Sequence, residues 1–319
     1  MPKVSVIIPV YKAERYIEKC CRSLFGQSLD DIEYIFVDDC TPDKSVGIIE
    51  KILDDFPKRK EHVKILHHPT NQGTQVARMN GIKICTGEYV IHCDSDDWVD
   101  VTAYEKLYVH AKKNDLDIVT CEFFKIDDEG RKRHIIEPKE DDIIKLLLIG
   151  KRQGALWNRL VRGDIVRNNE ILYPPQGMDE DFILVIQYYY YANVWGEISE
   201  PLYYYYQNSE SVSSFGNSEK LLGQAHRMAE NLDILFDFFN KKELVRKYSK
   251  EIVARKFFDK RWILPAIRSA RDCSHWIKLH PEINLSLYRN SYLSKQDKVT
   301  SLLVELRLYP LFRKIVRNR

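Results

Sequence analysis

The 319-residue chain sets 49 lysines and arginines against 47 aspartates and glutamates, and its net charge of +2 singles out neither nucleic acid nor a generally acidic partner. Its length accommodates one catalytic domain and a helical extension. Seven cysteines, with Cys20 and Cys21 adjacent and no CxxC spacing, leave one unpaired under any complete disulfide scheme and fit a reducing compartment.

Val4–Val10 opens as an apolar run, but it contains Pro9 and passes into Lys12, Glu14 and Arg15 without a small-residue cleavage site. It therefore reads as a buried strand rather than a signal peptide. Ile17, Cys20, Cys21 and Leu24 follow at helical spacing. A second strand over 34–37 is followed by Ile49, Ile52, Leu53 and Phe56 at the same spacing, and a third over 63–66 by a helix near Thr74–Ile84. A fourth over 89–93 leads to Tyr104, Leu107, Tyr108 and Ala111, and a fifth covers 117–123. This alternation predicts an α/β fold with a mostly parallel sheet flanked by helices.

From Phe124 the pattern changes. Asp127, Asp128, Glu129 and Gly130 make a hairpin turn, and helices are expected over 141–149 and 180–191, with Pro174, Pro175 and Gly177 in a loop between them. Tyrosine runs fall at 188–191, which reads as half-buried helix surface, and at 203–206. Beyond Phe215 the chain reads as helices to its end. From Ser301 onward, Arg307, Arg313, Lys314, Arg317 and Arg319 face a single acid, Glu305, and interleave with leucines, Phe312 and Ile315. Such a basic amphipathic end can lie on an anionic membrane, or pack as a terminal helix with a solvated basic face. No run approaches the roughly 18 apolar residues a membrane span needs, so the chain reads as soluble or peripheral.

Ligands of open parallel sheets bind beyond the carboxyl ends of the strands. Asp38 and Asp39 close the second strand, and Asp94, Asp96 and Asp97 close the fourth in His92-Cys93-Asp94-Ser95-Asp96-Asp97. Clustered like charges are costly without a compensating cation or donor array. A hard divalent ion takes one or two carboxylates plus phosphate oxygens, so a nucleotide diphosphate with magnesium or manganese fits this place. The plainer reading makes Asp94 or Asp97 the N-cap of the next helix. Walker A, glycine-rich dinucleotide and HExxH patterns are all absent from the sequence.

Together these segments resemble the inverting glycosyltransferases of family 2, which have the Rossmann-like GT-A fold. Val4–Val10 with Tyr11 resembles the family's first strand, Val37-Asp38-Asp39-Cys40-Thr41 its Val-Asp-Asp-Gly-Ser turn, and Asn71-Gln72-Gly73 with Ala77, Arg78 and Gly81 its third segment. Gly87-Glu88-Tyr89 leads into Asp94-Ser95-Asp96-Asp97, which resembles its Asp-x-Asp motif. The resemblance implies that Pro9, Tyr11 and Glu14 line the base pocket, that Asp39 contacts the base, usually uracil, with Asp38 also nucleotide-binding, and that Arg78 faces the nucleotide. It places Asp94 near the ribose, counts Ser95 among the nucleotide-binding residues, and makes Asp96 the ligand of the metal that bridges the diphosphate.

Gly177-Met178-Asp179-Glu180-Asp181-Phe182 resembles the family's Glu-Asp motif, which puts the base that deprotonates the acceptor on Asp181, with Glu180 or Asp179 as alternatives. Leu156-Trp157-Asn158-Arg159-Leu160-Val161 resembles the segment ahead of that base. There Trp157, with Asn158, is a candidate acceptor contact, against the alternative of a core tryptophan. The segment 203–206 followed by Ser211-Val212-Ser213 lacks the arginine the family often carries, and Cys40 and Met79 replace a usual glycine and asparagine.

The resulting expectation is a GT-A catalytic domain over 1–215, with a nucleotide-binding part over 1–123 and an acceptor and base part over 124–215, followed by a helical region over 216–319. Its implied activity is metal-dependent, inverting transfer from a nucleotide-diphosphate sugar, such as a UDP-sugar, to a saccharide or lipid-linked acceptor in surface polysaccharide synthesis, at the cytoplasmic side of a membrane. A sugar-phosphate nucleotidyltransferase would instead carry a glycine-rich turn after the first strand, where Pro9-Val10-Tyr11-Lys12 stands. A non-catalytic nucleotide-sugar-binding partner would have no need of the acids at Asp94, Asp96 and Asp181.

Overall fold

The computed structural model describes residues 1–175, 178–207 and 218–317; Gly177 and the Ser211-Val212-Ser213 stretch lie outside the described residues. The chain runs β1 (Val4–Val10), α1 (Ile17–Phe25), β2 (Ile32–Asp38), α2 (Ser45–Asp54), β3 (Val63–His67), α3 (Thr74–Ile84), β4 (Tyr89–His92), β5 (Trp98–Val99) and α4 (Ala103–Lys113). It continues through β6 (Ile118–Ile126), β7 (Lys132–Ile135), α5 (Ile143–Leu148), β8 (Arg159–Arg162), α6 (Gly163–Asn168), α7 (Glu180–Tyr191) and β9 (Trp195–Tyr206). Among the described residues there follow the α-helices α8 (Ser218–Lys241), α9 (Ser249–Trp262), α10 (Cys273–Lys278), α11 (Lys295–Glu305) and α12 (Tyr309–Arg317).

The chain divides into two units that do not follow a single cut at residue 215. The first takes Met1–Glu137, Gly154–Gln176 and Leu184–Ser211; the second takes Pro138–Gln153, Gly177–Ile183 and Val212–Arg319.

In the first unit a sheet has the order β3-β2-β1-β4-β8-β6-β9-β5, with β7 beside β6. β1 to β4 are parallel, which is why β1 is apolar at nearly every position and buried on both faces. Pro9 lies two residues past Ile7, the last β1 residue paired with β4, so its missing N–H breaks no bond of that ladder. The fifth expected strand, β6, is not the neighbour of β4. The short β8, antiparallel to both, separates them. β8 and β5 were not legible as strands because four- and two-residue segments carry too little periodicity. On α3, Gly81 packs flat on the sheet, since a Cβ there would come within 2.6 Å of Ile7 Cγ2.

In the second unit α8 buries a stripe including Leu221, Ala225, Met228, Leu232, Leu235 and Phe239, and packs on α9. α5 also packs on α9, and Tyr248 donates to Asp142, the N-cap of α5, at 3.0 Å. These contacts draw residues 138–153 into the helical unit. α11 starts with a capping box between Ser294 and Asp297. It ends with Leu308 N–H on Leu303 C=O and Arg307 N–H on Val304 C=O, with Arg307 at φ 61°, the left-handed position glycine usually takes.

Candidate active site

Two loops at the carboxyl edge of the sheet are clasped together. Lys12 N–H donates to Thr41 Oγ1 (2.8 Å), Ala13 N–H to Ser45 Oγ (3.1 Å), Glu14 N–H to Asp43 (3.0 Å), and Lys44 N–H returns a bond to Glu14 Oε2 (3.2 Å). Asp43 also accepts from Thr41 and Ser45, and these donors hold its carboxyl below the usual range against the opposing effect of burial. The clasp fixes the loop that presents Tyr11, which is 43% exposed. Asp38 accepts from Thr41 N–H at 2.8 Å and pairs with His67 at 2.9 Å, closing its own turn.

Asp39 is buried. Its Oδ1 accepts from His68 (2.7 Å) and Gln72 N–H (2.8 Å), and its Oδ2 from Gly73 N–H (2.7 Å). The carboxylate expected on the base is thus largely committed to shaping the loop before α3, and the lone pair left on Oδ2 is its remaining acceptor capacity. The His67–Asp38 and His68–Asp39 pairs were not found from sequence, because nothing in a His-His dipeptide signals which carboxylates the sheet sets opposite it.

The Asp-x-Asp segment is a tight turn between β4 and β5, closed by Asp97 N–H on Asp94 C=O at 3.1 Å. Neither Asp94 nor Asp97 caps a helix, since α4 begins only at Ala103. The three carboxylates have separate tasks. Asp94 pairs with the buried Arg78 of α3 at 2.7 Å. Asp97 is buried, accepts from Tyr203 Oη (2.6 Å) and Tyr206 N–H (2.7 Å), and is pushed well up by burial and by Asp96 and Asp94. Tyr203 Oη also accepts from Asp94 N–H at 3.2 Å, so one phenol bolts both ends of the turn.

Asp96 alone of the three has no side-chain partner among the described residues, and burial together with Asp94 pushes its carboxyl up to about 6. A carboxylate held in this way gains from a cation, and one acid with neighbouring phosphate oxygens is a donor set that suits magnesium or manganese. Ser95 is half-buried beside it. Among the described residues no cluster of three or more metal-ligating side chains occurs.

Trp157 and Asn158 are corrected by the structure. The indole is 3% exposed and lies parallel to the rings of Tyr203 (4.3 Å) and Tyr205 (5.5 Å), so it offers no open face to a sugar. Asn158 is fully buried, with Nδ2 on Cys121 C=O and Oδ1 accepting from Arg159. Both support the core beneath β9.

The acidic motif belongs to the second unit. Asp179 precedes α7 at φ 68° and pairs with Arg255 of α9, whose guanidinium also lies 4.3 Å over the Phe182 ring and 3.8 Å from Asp259. Asp259 in turn holds His280 at 2.8 Å. Burial raises the Asp179 carboxyl in spite of Arg255. Asn231 fixes the preceding backbone through Met178 C=O at 2.8 Å. Asp179 is therefore an anchor, whereas Glu180 is buried and Asp181 half-exposed in the first turn of α7.

The sequence profile described as Glycosyl transferase family 2 matches residues 5–166. The uncharacterized glycosyltransferase EpsJ of Bacillus subtilis is 31% identical over 67% of this chain and 63% of its own length, so the match leaves more than a third of that relative uncovered. Among solved structures, TarS 1–349 of S. aureus in complex with UDP-GlcNAc aligns with TM-score 0.59 at 18% identity, over 90% of this chain and 92% of that one. The mannosyltransferase PcManGT of Pyrobaculum calidifontis, in complex with GDP-Man and Mn2+, aligns with TM-score 0.55 at 13% identity, over 100% and 88%. The fold is that of the GT-A glycosyltransferases. The chain belongs to glycosyl transferase family 2.

Proposed function

We propose that the protein transfers a sugar from a nucleotide-diphosphate donor, a UDP-sugar, to a saccharide or lipid-linked saccharide acceptor, with inversion at the anomeric carbon. The observation that carries the reading is Asp96, which has no side-chain partner among the described residues, in a turn that Tyr203, Asp97 and Arg78 make rigid, at the edge where such sheets bind nucleotides. The nucleotide complexes of the two structural neighbours support it.

In this scheme the clasped loop at Tyr11 and Glu14, with Pro9 and Asp38 beneath it, borders the base, while Arg78 and Asp94 act as a joined pair beside the ribose and phosphates. Asp96 would hold a divalent metal, which when bound supplies positive charge to the departing diphosphate. Asp181 takes the proton of the acceptor hydroxyl as that oxygen attacks from the face opposite the diphosphate. Asp179 anchors the approach to α7 through Arg255, and the half-exposed position of Asp181 in the first turn of that helix is what favours it as the base. Work in a reducing, cytoplasmic compartment is supported by seven cysteines that are all free thiols, and a place in surface polysaccharide assembly by relatives such as the poly(ribitol-phosphate) beta-glucosyltransferase of Bacillus spizizenii.

The test is calorimetric titration with nucleotide diphosphates, with and without manganese, on the native protein and on Asp96→Ala. UDP binding that depends on the metal and is lost in the variant is the expected result; metal-independent binding of equal strength in both would overturn the assignment. Product anomeric configuration, read by NMR after turnover of a UDP-sugar, tests inversion, and retention of the donor's configuration would sink the single displacement. Release of pyrophosphate from a nucleoside triphosphate would instead mark a nucleotidyltransferase.

A further inference from the structure

Two consecutive helices of the second unit leave apolar stripes open to solvent. On α11, Val299, Leu302 and Leu306 are 47–58% exposed, at the i, i+3, i+7 spacing of one helix face. At α12, Leu308, Leu311, Phe312 and Ile315 repeat the pattern at 46–60% exposure. Such stripes are ordinarily what a helix hides, and single exposed leucines would call for no explanation, whereas seven large side chains on successive helices do. The inner side of the hairpin is satisfied separately: Ser301 and Val304 are buried, and Arg313 ties α12 to Pro265 C=O (3.0 Å) and Ile267 C=O (3.2 Å). The hairpin is therefore seated on its own unit by other residues, and the open stripes face outward.

Charge selects the occupant. From Lys295 to Arg319 there are seven basic residues and two acidic ones, a surplus of five in a chain whose net charge is only +2. Pairing two copies through this surface would set the same surplus against itself. An anionic lipid surface supplies both what the stripes need and what the cations need: headgroup charge for Arg307 and Lys314, and an acyl boundary into which a helix face sinks about 5–10 Å.

We infer that α11 and α12 form a docking surface for an anionic bilayer, holding the protein at the membrane as a peripheral protein. This rests on the exposed stripes and their charge and is independent of the donor-site reading, so failure of either leaves the other standing.

The test is flotation of the full chain with vesicles of phosphatidylglycerol mixed with phosphatidylcholine, compared with vesicles of phosphatidylcholine alone. Two variants are included, Leu311→Asp with Phe312→Asp, and Arg307→Glu with Lys314→Glu, each confirmed as folded by circular dichroism and by an unchanged melting temperature. The expected result is recovery with the anionic vesicles only, falling at least tenfold in each double variant and in about 0.5 M salt. Absence of flotation with anionic vesicles, or equal recovery with both kinds, overturns the proposal. So does a native dimer, seen by light scattering in lipid-free buffer, that Leu311→Asp with Phe312→Asp converts to monomer.

Discussion

Cys40 stands at φ 56° in the turn after β2, a conformation that costs a side-chain-bearing residue roughly 1–2 kcal/mol. Glycine returns part of that gain through chain entropy. Cys40→Gly is therefore expected to stabilise the protein by about 1 kcal/mol in urea titration. It is also the one exposed cysteine of the seven, so a thiol reagent should label a single fast site in the native protein and none in the variant. Tyr203→Phe removes the hydroxyl that serves both Asp97 and Asp94 N–H. Leaving that buried carboxyl short of a donor should cost about 1–3 kcal/mol. It should also weaken metal-dependent nucleotide binding, whereas Asp96→Ala should abolish that binding without lowering the melting temperature. If both variants changed stability alike, the division of labour within the turn would be wrong.

At the scale of elements, the approach to α7 is held by α9. Arg255→Ala leaves the half-buried Asp179 unpaired, and a charged group left short of its partner in this way costs about 1–3 kcal/mol. By contrast Asp181→Asn should abolish turnover in a protein that still folds, as read by circular dichroism. An Asp179→Asn protein that unfolds normally but is inactive would move the base to Asp179. α9 carries a second titrating group, the fully buried Lys260, which donates to Trp276 C=O (2.7 Å) and Asn284 (2.8 Å). Burial pulls it down to about 7, with Glu305 and Glu282 opposing. Its folded form binds fewer protons than the unfolded chain between pH 7 and the ordinary lysine range, so the penalty it imposes is full below about pH 7 and fades as the pH rises. Unfolding free energy should climb between pH 7 and 9, and Lys260→Met should flatten the climb.

Over the whole molecule, the two units interleave along the chain. Ending the chain at residue 215, the boundary suggested by sequence, would remove α9 from beneath α5 and from beside Asp179. α5 buries Ile143, Ile144, Leu146, Leu147 and Leu148, and much of that apolar surface would lose its cover. Residues 1–215 expressed alone should therefore be recovered in the insoluble fraction; a soluble, cooperatively melting fragment would show that the helical unit is dispensable to the fold.

The sequence alone determined what local periodicity and ordered motifs carry. Val4–Val10 read as a strand and Thr74–Ile84 as a helix because apolar spacing is a property of neighbouring residues, and the Asp94–Asp97 turn was placed because a strand's carboxyl end is visible as the end of an apolar run. What it could not decide depends on residues far apart in the chain. The insertion of β8 between β4 and β6, the burial of Trp157 against Tyr203 and Tyr205, and the bolting of Asp97 by Tyr203 join segments about 40 to 110 positions apart. The same holds for Asp179, whose partner Arg255 lies 76 residues away on a helix that no motif connects to it. That Asp179 is an anchor rests on a partner that only the tertiary structure brings within hydrogen-bond reach.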